Sequence, residues 1–126
     1  MAWIYKQSTG EFSDAAGIWL GYSGAYGYMD PKWETMPDHG PIPCGDYTIG
    51  AAETHPRLGP VVMLLTPDEA TAGTIIDYGR TPYESFYIHA DNAATPGHSS
   101  SGCVVLGNAA RQAIAASTDK QLQVIA

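Results

Sequence analysis

Basic residues are scarce in this chain: six Lys plus Arg stand against thirteen Asp plus Glu, for a formal net charge of −7. A nucleic-acid binder needs a cationic face to neutralise phosphates, so this balance argues against nucleic acid as a partner. The same acidity repels anionic membrane surfaces. No run of residues is long and apolar enough to span a bilayer. The opening Met1-Ala2-Trp3-Ile4-Tyr5-Lys6 lacks the basic and apolar regions of a classical secretory signal. Expected from this are synthesis in the cytoplasm and no membrane insertion. Internal repeats, low-complexity tracts and an inter-domain linker are also missing, so residues 1–126 read as a single domain of ordinary size. Cysteine is limited to Cys44 and Cys103, enough for one disulfide or for two free thiols, and spacing does not choose between them.

What is present is turn chemistry and short apolar segments. Charged residues make up only 15% of the chain and hydrophobic ones 44%, with 14 Gly and 9 Pro. That mixture favours many short strands over long surface helices. Residues 3–7 alternate and lead through Ser8-Thr9-Gly10 into 11–13, a hairpin pattern. A short strand is expected over 17–24, and 26–40 reads as an irregular excursion. Gly40-Pro41-Ile42-Pro43-Cys44-Gly45 forms a rigid turn, because proline fixes φ and glycine supplies unusual φ. Strands follow at 46–50, 61–65, 85–89, 103–106 and 122–125. Residues 68–72 suggest a helical turn, and 108–117 a helix with Asn108 as N-cap. The expected fold is mainly β, an antiparallel sandwich or barrel-like sheet with one short helix near the C-terminus.

The chemistry concentrates at the end of two of these strands. Phe86-Tyr87-Ile88-His89-Ala90-Asp91-Asn92 ends an apolar run on a histidine. Ser100-Ser101-Gly102-Cys103-Val104-Val105-Leu106 opens the next on a cysteine behind a small-residue turn. The loop between them allows an imidazole and a thiol to meet at one end of a sheet, the arrangement that thiol acyl transfer requires. A nucleophilic thiol of this kind is expected to have a depressed pKa.

The ordered set Gly-Pro-Ile-Pro-x-Gly-x-Tyr (40–47), Gly79-Arg80-Thr81, Ile88-His89-x-Asp91-Asn92 and Ser-x-Gly-Cys (100–103) resembles the L,D-transpeptidase-like domains, in particular the subgroup used as type VI secretion effectors. The resemblance runs from about residue 3 to residue 124. It implies Cys103 as nucleophile, His89 as general base, and the backbone N–H groups of Ser101, Gly102 and Cys103 as an oxyanion hole. It also implies that the Ala90 carbonyl orients the imidazole, with Asp91 as the rival orienting group. The chain departs from the wider family in having Ser101 where a second histidine is usual, Val105 where an arginine is common, and a short interval between base and nucleophile. All three departures fit the effector subgroup.

The implied substrates are peptidoglycan stem peptides, cut or exchanged at a terminal D-alanine through a thioacyl enzyme. No metal or organic cofactor is implied. A secreted antibacterial role in the periplasm of a target bacterium follows from the same resemblance, with a cognate immunity protein and a secretion-system component as partners. Arg80 is the leading residue for clamping a substrate carboxylate, against the alternative of a surface ion pair with Glu84 or Asp77. His39 and Tyr78 are further substrate-binding positions, and Tyr22, Tyr26 and Tyr83 are either groove residues or packing residues. Arg111 reads as a structural ion pair. His55 and His98 read as exposed loop residues. Two other classes remain open at this stage: a metal-dependent peptidase using His89, Asp91 and His98, and a non-catalytic module stapled by Cys44 and Cys103.

Overall fold

The computed structural model describes residues 2–126. Ten strands form one mixed sheet: β1 (Trp3–Lys6), β2 (Glu11–Asp14), β3 (Gly17–Leu20), β4 (Tyr22–Ser23), β5 (Gly45–Ile49), β6 (Glu53–His55), β7 (Gly59–Pro67), β8 (Phe86–His89), β9 (Val104–Val105) and β10 (Gln121–Ile125). Their order is β3-β2-β1-β10-β5-β7-β8-β9-β4, with β6 paired to β7 off this path. The two ends of that order, β3 and β4, are consecutive in the chain and separated by Gly21 alone. One bent segment thus joins both edges and nearly closes the sheet into a barrel, which removes most free edge.

Gly21 is the corner at which this segment leaves β2 and takes up β9. Its N–H donates to the Gly10 carbonyl at 2.8 Å. A Cβ there would collide with the Val105 carbonyl oxygen and stand 2.6 Å from Leu106 Cδ2. Only a residue without a side chain lets the two backbones approach this closely.

The core follows from strand alternation. Trp3 and Tyr5 of β1, Leu122 and Val124 of β10, Tyr47 and Ile49 of β5, and Phe86 and Ile88 of β8 all enter one buried cluster. Two α-helices complete it, α1 (Glu69–Asp77) through Ile75 and α2 (Asn108–Ala116) through Ala110 and Ile114. The mainly β, barrel-like expectation holds.

Several details differ from the sequence reading. Two pairings are parallel, β1 with β10 and β8 with β9. The helical turn expected at 68–72 is the start of a full helix, α1, whose N-cap Asp68 accepts from the Thr71 N–H at 2.8 Å. The N-cap of α2 is Gly107, not Asn108, which is the first helical residue. The expected strand over 17–24 is broken in two by the Gly21 corner. The excursion over 26–40 holds only a short 3-10 turn (Pro31–Trp33).

Candidate active site

Alternation along β8 decides where the histidine goes. Phe86 and Ile88 point into the core, so Tyr87 and His89 face the other way. On β9, Val104 points into the core. Cys103, one residue ahead of the strand, therefore belongs to the same outward face as His89. The parallel register pairs His89 with Val105. Cys103 is then a diagonal neighbour of His89, roughly 8 Å away between Cα atoms given ordinary strand spacing and rise. Both side chains line one cavity of about 400 Å³.

Two further cavities continue it into a groove. A polar one of about 180 Å³ lies on the far side of Cys103, with Arg80, Asp38 and Gly102 in its wall. Another of about 340 Å³ extends past His89 towards Asp91 and His98. Cys103 thus sits at one junction and His89 at the next.

The imidazole is held in one tautomer. His89 is only 3% exposed, and its Nδ1 lies 2.7 Å from the Ala90 carbonyl oxygen. A carbonyl only accepts, so Nδ1 carries the proton and Nε2 presents a lone pair. Burial also pushes the imidazole below its ordinary pKa, outweighing the Ala90 hydrogen bond that favours its protonated form. The ring is therefore a neutral acceptor at neutral pH.

Asp91 does not orient it. The Asp91 carboxylate accepts from the Tyr22 hydroxyl and Ser99 Oγ, both at 2.7 Å, and from the Asn92 and Gly97 amides at 2.9 and 3.1 Å. Those contacts fold the loop between β8 and β9. They also hold the Asp91 carboxyl below the usual carboxylate range, against a desolvation cost that works the other way.

The thiol turn is cross-braced by two serines. Ser100 Oγ donates to the Cys103 carbonyl at 2.6 Å and accepts from the Gly24 amide at 2.9 Å and the Gly102 amide at 3.1 Å. Ser23 Oγ donates to the Gly102 carbonyl at 3.0 Å and accepts from the Ile42 amide at 2.8 Å. Gly102 has φ +147°, and a Cβ on it would stand 2.7 Å from an Arg80 terminal nitrogen and 2.9 Å from the Phe86 ring. Glycine is thus required there on both conformational and steric grounds. The Gly102 N–H is spent on Ser100, so it leaves the expected oxyanion hole. The Ser101 and Cys103 amides donate to no protein acceptor among the described residues.

Arg80 is not a free carboxylate fork. Its guanidinium is buried, 8% exposed, over the Phe86 ring. Nη1 donates to the Glu34 and Pro41 carbonyls at 2.8 and 2.7 Å, and Nη2 to the Gly40 and Ser101 carbonyls at 3.1 and 3.4 Å. It ties the proline turn to the thiol turn, and neither Glu84 nor Asp77 is its partner. Both terminal nitrogens are committed, so what it offers the cavity is its charge. Arg111 likewise donates to backbone carbonyls, of Leu106, Pro60 and Val61, rather than to an acid.

His39 and Tyr78 stand outside the groove. His39 Nδ1 lies 3.1 Å from the Pro37 carbonyl, its ring edge-on to Tyr28. The Tyr78 hydroxyl donates to Glu34 at 3.4 Å. Tyr22 acts through Asp91, Tyr26 stacks on His98 at 4.7 Å, and Tyr83 is exposed. Conversely, His55 and Arg57, on the hairpin joining β6 and β7, line the Cys103 cavity together with His89. The sequence offered one signal for them, the Pro56-Arg57-Leu58-Gly59 turn ahead of an apolar strand, but not which cavity that turn overhangs.

Both cysteines are free thiols. Cys44 Sγ lies 3.5 Å from Gln7 Oε1, and burial with the nearby Glu34 carboxylate pushes its pKa up to about 12. The staple reading fails on this geometry. No group of three or more His, Cys, Asp or Glu side chains among the described residues is placed to hold a metal ion.

Cys103 Sγ lies 3.7 Å from the Ser85 carbonyl. Burial raises its pKa above the ordinary thiol value, more than the Tyr87 amide and the Arg80 charge lower it. The depressed pKa expected for a nucleophile is therefore absent from the resting state, which holds a neutral thiol and a neutral imidazole in one cavity. Iodoacetamide should accordingly alkylate Cys103 slowly at pH 7, and the acceleration should come at a higher pH than the roughly 8.5 at which an ordinary thiol ionises. Cys44 should react later still. Fast labelling of Cys103 at pH 6 would instead reveal a thiolate–imidazolium pair.

No protein-family model matches this chain, and no curated protein matches it.

Proposed function

We propose that this protein is a cysteine-dependent acyl-transfer enzyme acting on peptidoglycan tetrapeptide stems, with L,D-carboxypeptidase or D-amino-acid exchange activity. The observation that carries the reading is the shared cavity of Cys103 and His89, in which His89 Nε2 is an unprotonated acceptor. The resemblance of the Ile-His-x-Asp-Asn and Ser-x-Gly-Cys motifs to the L,D-transpeptidase-like domains supplies the substrate class and the role as a secreted antibacterial effector.

The chemistry runs as follows. A substrate carbonyl enters against the Ser101 and Cys103 amides, which stabilise the oxyanion as it forms. The thiol proton leaves the Ser85 carbonyl for His89 Nε2 by a side-chain rotation within the cavity. Sulfur adds to the carbonyl carbon, the C–N bond breaks, and the departing nitrogen takes the proton from His89. Water or an amine then adds to the thioester, giving up its proton to His89, and as the C–S bond breaks the departing sulfur takes that proton back, restoring the neutral thiol and imidazole. The Ala90 carbonyl stabilises the imidazolium formed in each half. A neutral resting pair suits this sequence, because the proton abstracted from sulfur is the one the leaving amine needs.

Incubation with purified disaccharide-tetrapeptide, with and without D-methionine, tests the proposal by mass spectrometry. Loss of D-alanine marks trimming, and replacement by methionine marks exchange. An unchanged substrate in both reactions overturns the assignment.

A further inference from the structure

The β6–β7 hairpin brings a second histidine and an arginine to the thiol's cavity. His55 Nδ1 lies 3.1 Å from the Arg57 amide nitrogen and 3.2 Å from that of Leu58. Amides donate, so Nδ1 must hold a lone pair and the ring proton sits on Nε2. The imidazole also packs edge-on against Tyr87, which lies two residues before His89 on β8 (centroids 5.4 Å apart, planes at 70°). With one ring edge turned into the hairpin, His55 offers the cavity an N–H donor, whereas His89 offers an acceptor. Arg57 is exposed, and no protein acceptor engages its guanidinium among the described residues. It lines both cavities that meet at His89. In a chain with six Lys plus Arg, a free guanidinium at this junction is notable.

The direction of acyl transfer gives this pair a task. His89 returns its proton to the departing nitrogen, so the leaving group must lie on the His89 side of Cys103. The incoming nucleophile loses a proton to the same Nε2 and enters from the same side. That side is where His55 and Arg57 stand. Asp38 and Arg80 lie on the opposite side of the sulfur.

We propose that Arg57 and the His55 Nε2–H form a carboxylate subsite for the leaving and entering amine, so that the enzyme releases and accepts α-amino acids with a free carboxylate. This rests on the acyl-transfer reading above and names the residues that would confine its cut to the chain end: an internal peptide bond offers nothing for the subsite to hold. The covalent balance is unchanged. The carboxylate takes no part in bond making and only positions the nitrogen near His89.

The test compares two substrates, a disaccharide-tetrapeptide with its free C-terminal carboxylate and the same compound as the C-terminal carboxamide. A charge-assisted contact should favour the acid by roughly 10- to 100-fold in kcat/KM for the unmodified protein. Arg57→Gln removes the charge from a surface side chain. His55→Asn keeps an acceptor for the two hairpin amides and deletes the Nε2 donor. Each should drive the acid-to-amide ratio towards one, a readout that mere loss of folded protein does not move. Equal rates on both substrates with the unmodified protein, or a preserved ratio in Arg57→Gln, overturns the subsite while leaving the thiol chemistry standing. Turnover of neither substrate overturns both readings. Turnover that survives Cys103→Ala removes the thiol mechanism and, with it, the basis for the subsite.

Discussion

His89→Asn should lower turnover of a tetrapeptide stem by about 10²- to 10⁴-fold, the usual range for losing a positioned general base. Asparagine retains an N–H for the Ala90 carbonyl, so the loss reports on Nε2 rather than on the fold. The unmodified protein's pH profile should agree. Because burial holds the His89 imidazole below its ordinary pKa, the acceptor form persists into mildly acid solution. The acid limb of kcat/KM should thus fall below the value of about 6.5 at which a free histidine titrates. Protonation at lower pH removes the acceptor, so activity is lost as pH falls and is retained as it rises through neutrality. An acid limb at or above pH 7, or a His89→Asn variant within a few-fold of the original rate, would assign the base elsewhere.

The second large effect is on stability. Arg80→Met should cost about 3–5 kcal/mol, because each buried acceptor left without a donor costs on the order of 1–3 kcal/mol and some of the four regain partners or water. The loss leaves the carbonyls of Glu34, Gly40, Pro41 and Ser101 without their donors. Set against the ~5–15 kcal/mol that typically separates folded from unfolded chains, this should lower Tm by roughly 10 °C or more. Activity should fall further than stability alone explains, because the Ser101 carbonyl is part of the thiol turn. Arg80→Lys should recover only part of the loss, since an ammonium cannot span acceptors placed for a planar fork. A Tm within 2–3 °C (roughly half a kcal/mol) of the parent would show that the carbonyls find other partners and that Arg80 does not hold the two turns together.

Both effects depend on features of unequal visibility in the sequence. Strand faces were legible because alternation is local: Trp3 and Tyr5, Phe86 and Ile88, and Leu122 and Val124 declare their buried side by period two. The same alternation sets His89 on the outward face. The parallel pairings of β1 with β10 and β8 with β9 were not legible, because each joins segments whose contact is decided by closure of the whole sheet around Gly21. Helix α1 was underestimated because Thr71, Gly73, Thr74, Ile75 and Ile76 are modest helix formers. Packing of Ala72 and Ile75 into the core sustains it.

The site shows the same division. The Ala90 carbonyl as the group orienting His89 is what the family resemblance implies, and it agrees with the observed hydrogen bond. The roles of Arg80 and Arg111 escaped, because sequence reasoning pairs cations with acids, whereas both side chains here are held by backbone carbonyls that no residue letter reveals. Ser100 and Ser23 escaped for a related reason, since their hydroxyls act on backbone groups distant in the chain. His55 was set aside as a loop residue, and only the fold brings the β6–β7 hairpin beside Cys103.

The central claim is a covalent acyl group on one sulfur. Mixing the protein with a tetrapeptide stem, quenching in acid within the first turnovers and weighing the intact chain and its peptides tests it most directly. The account predicts an added mass equal to the stem without its terminal alanine, carried on Cys103 and absent from Cys103→Ala. Release of alanine with no adduct on Cys103, or with undiminished rate in that variant, would contradict it.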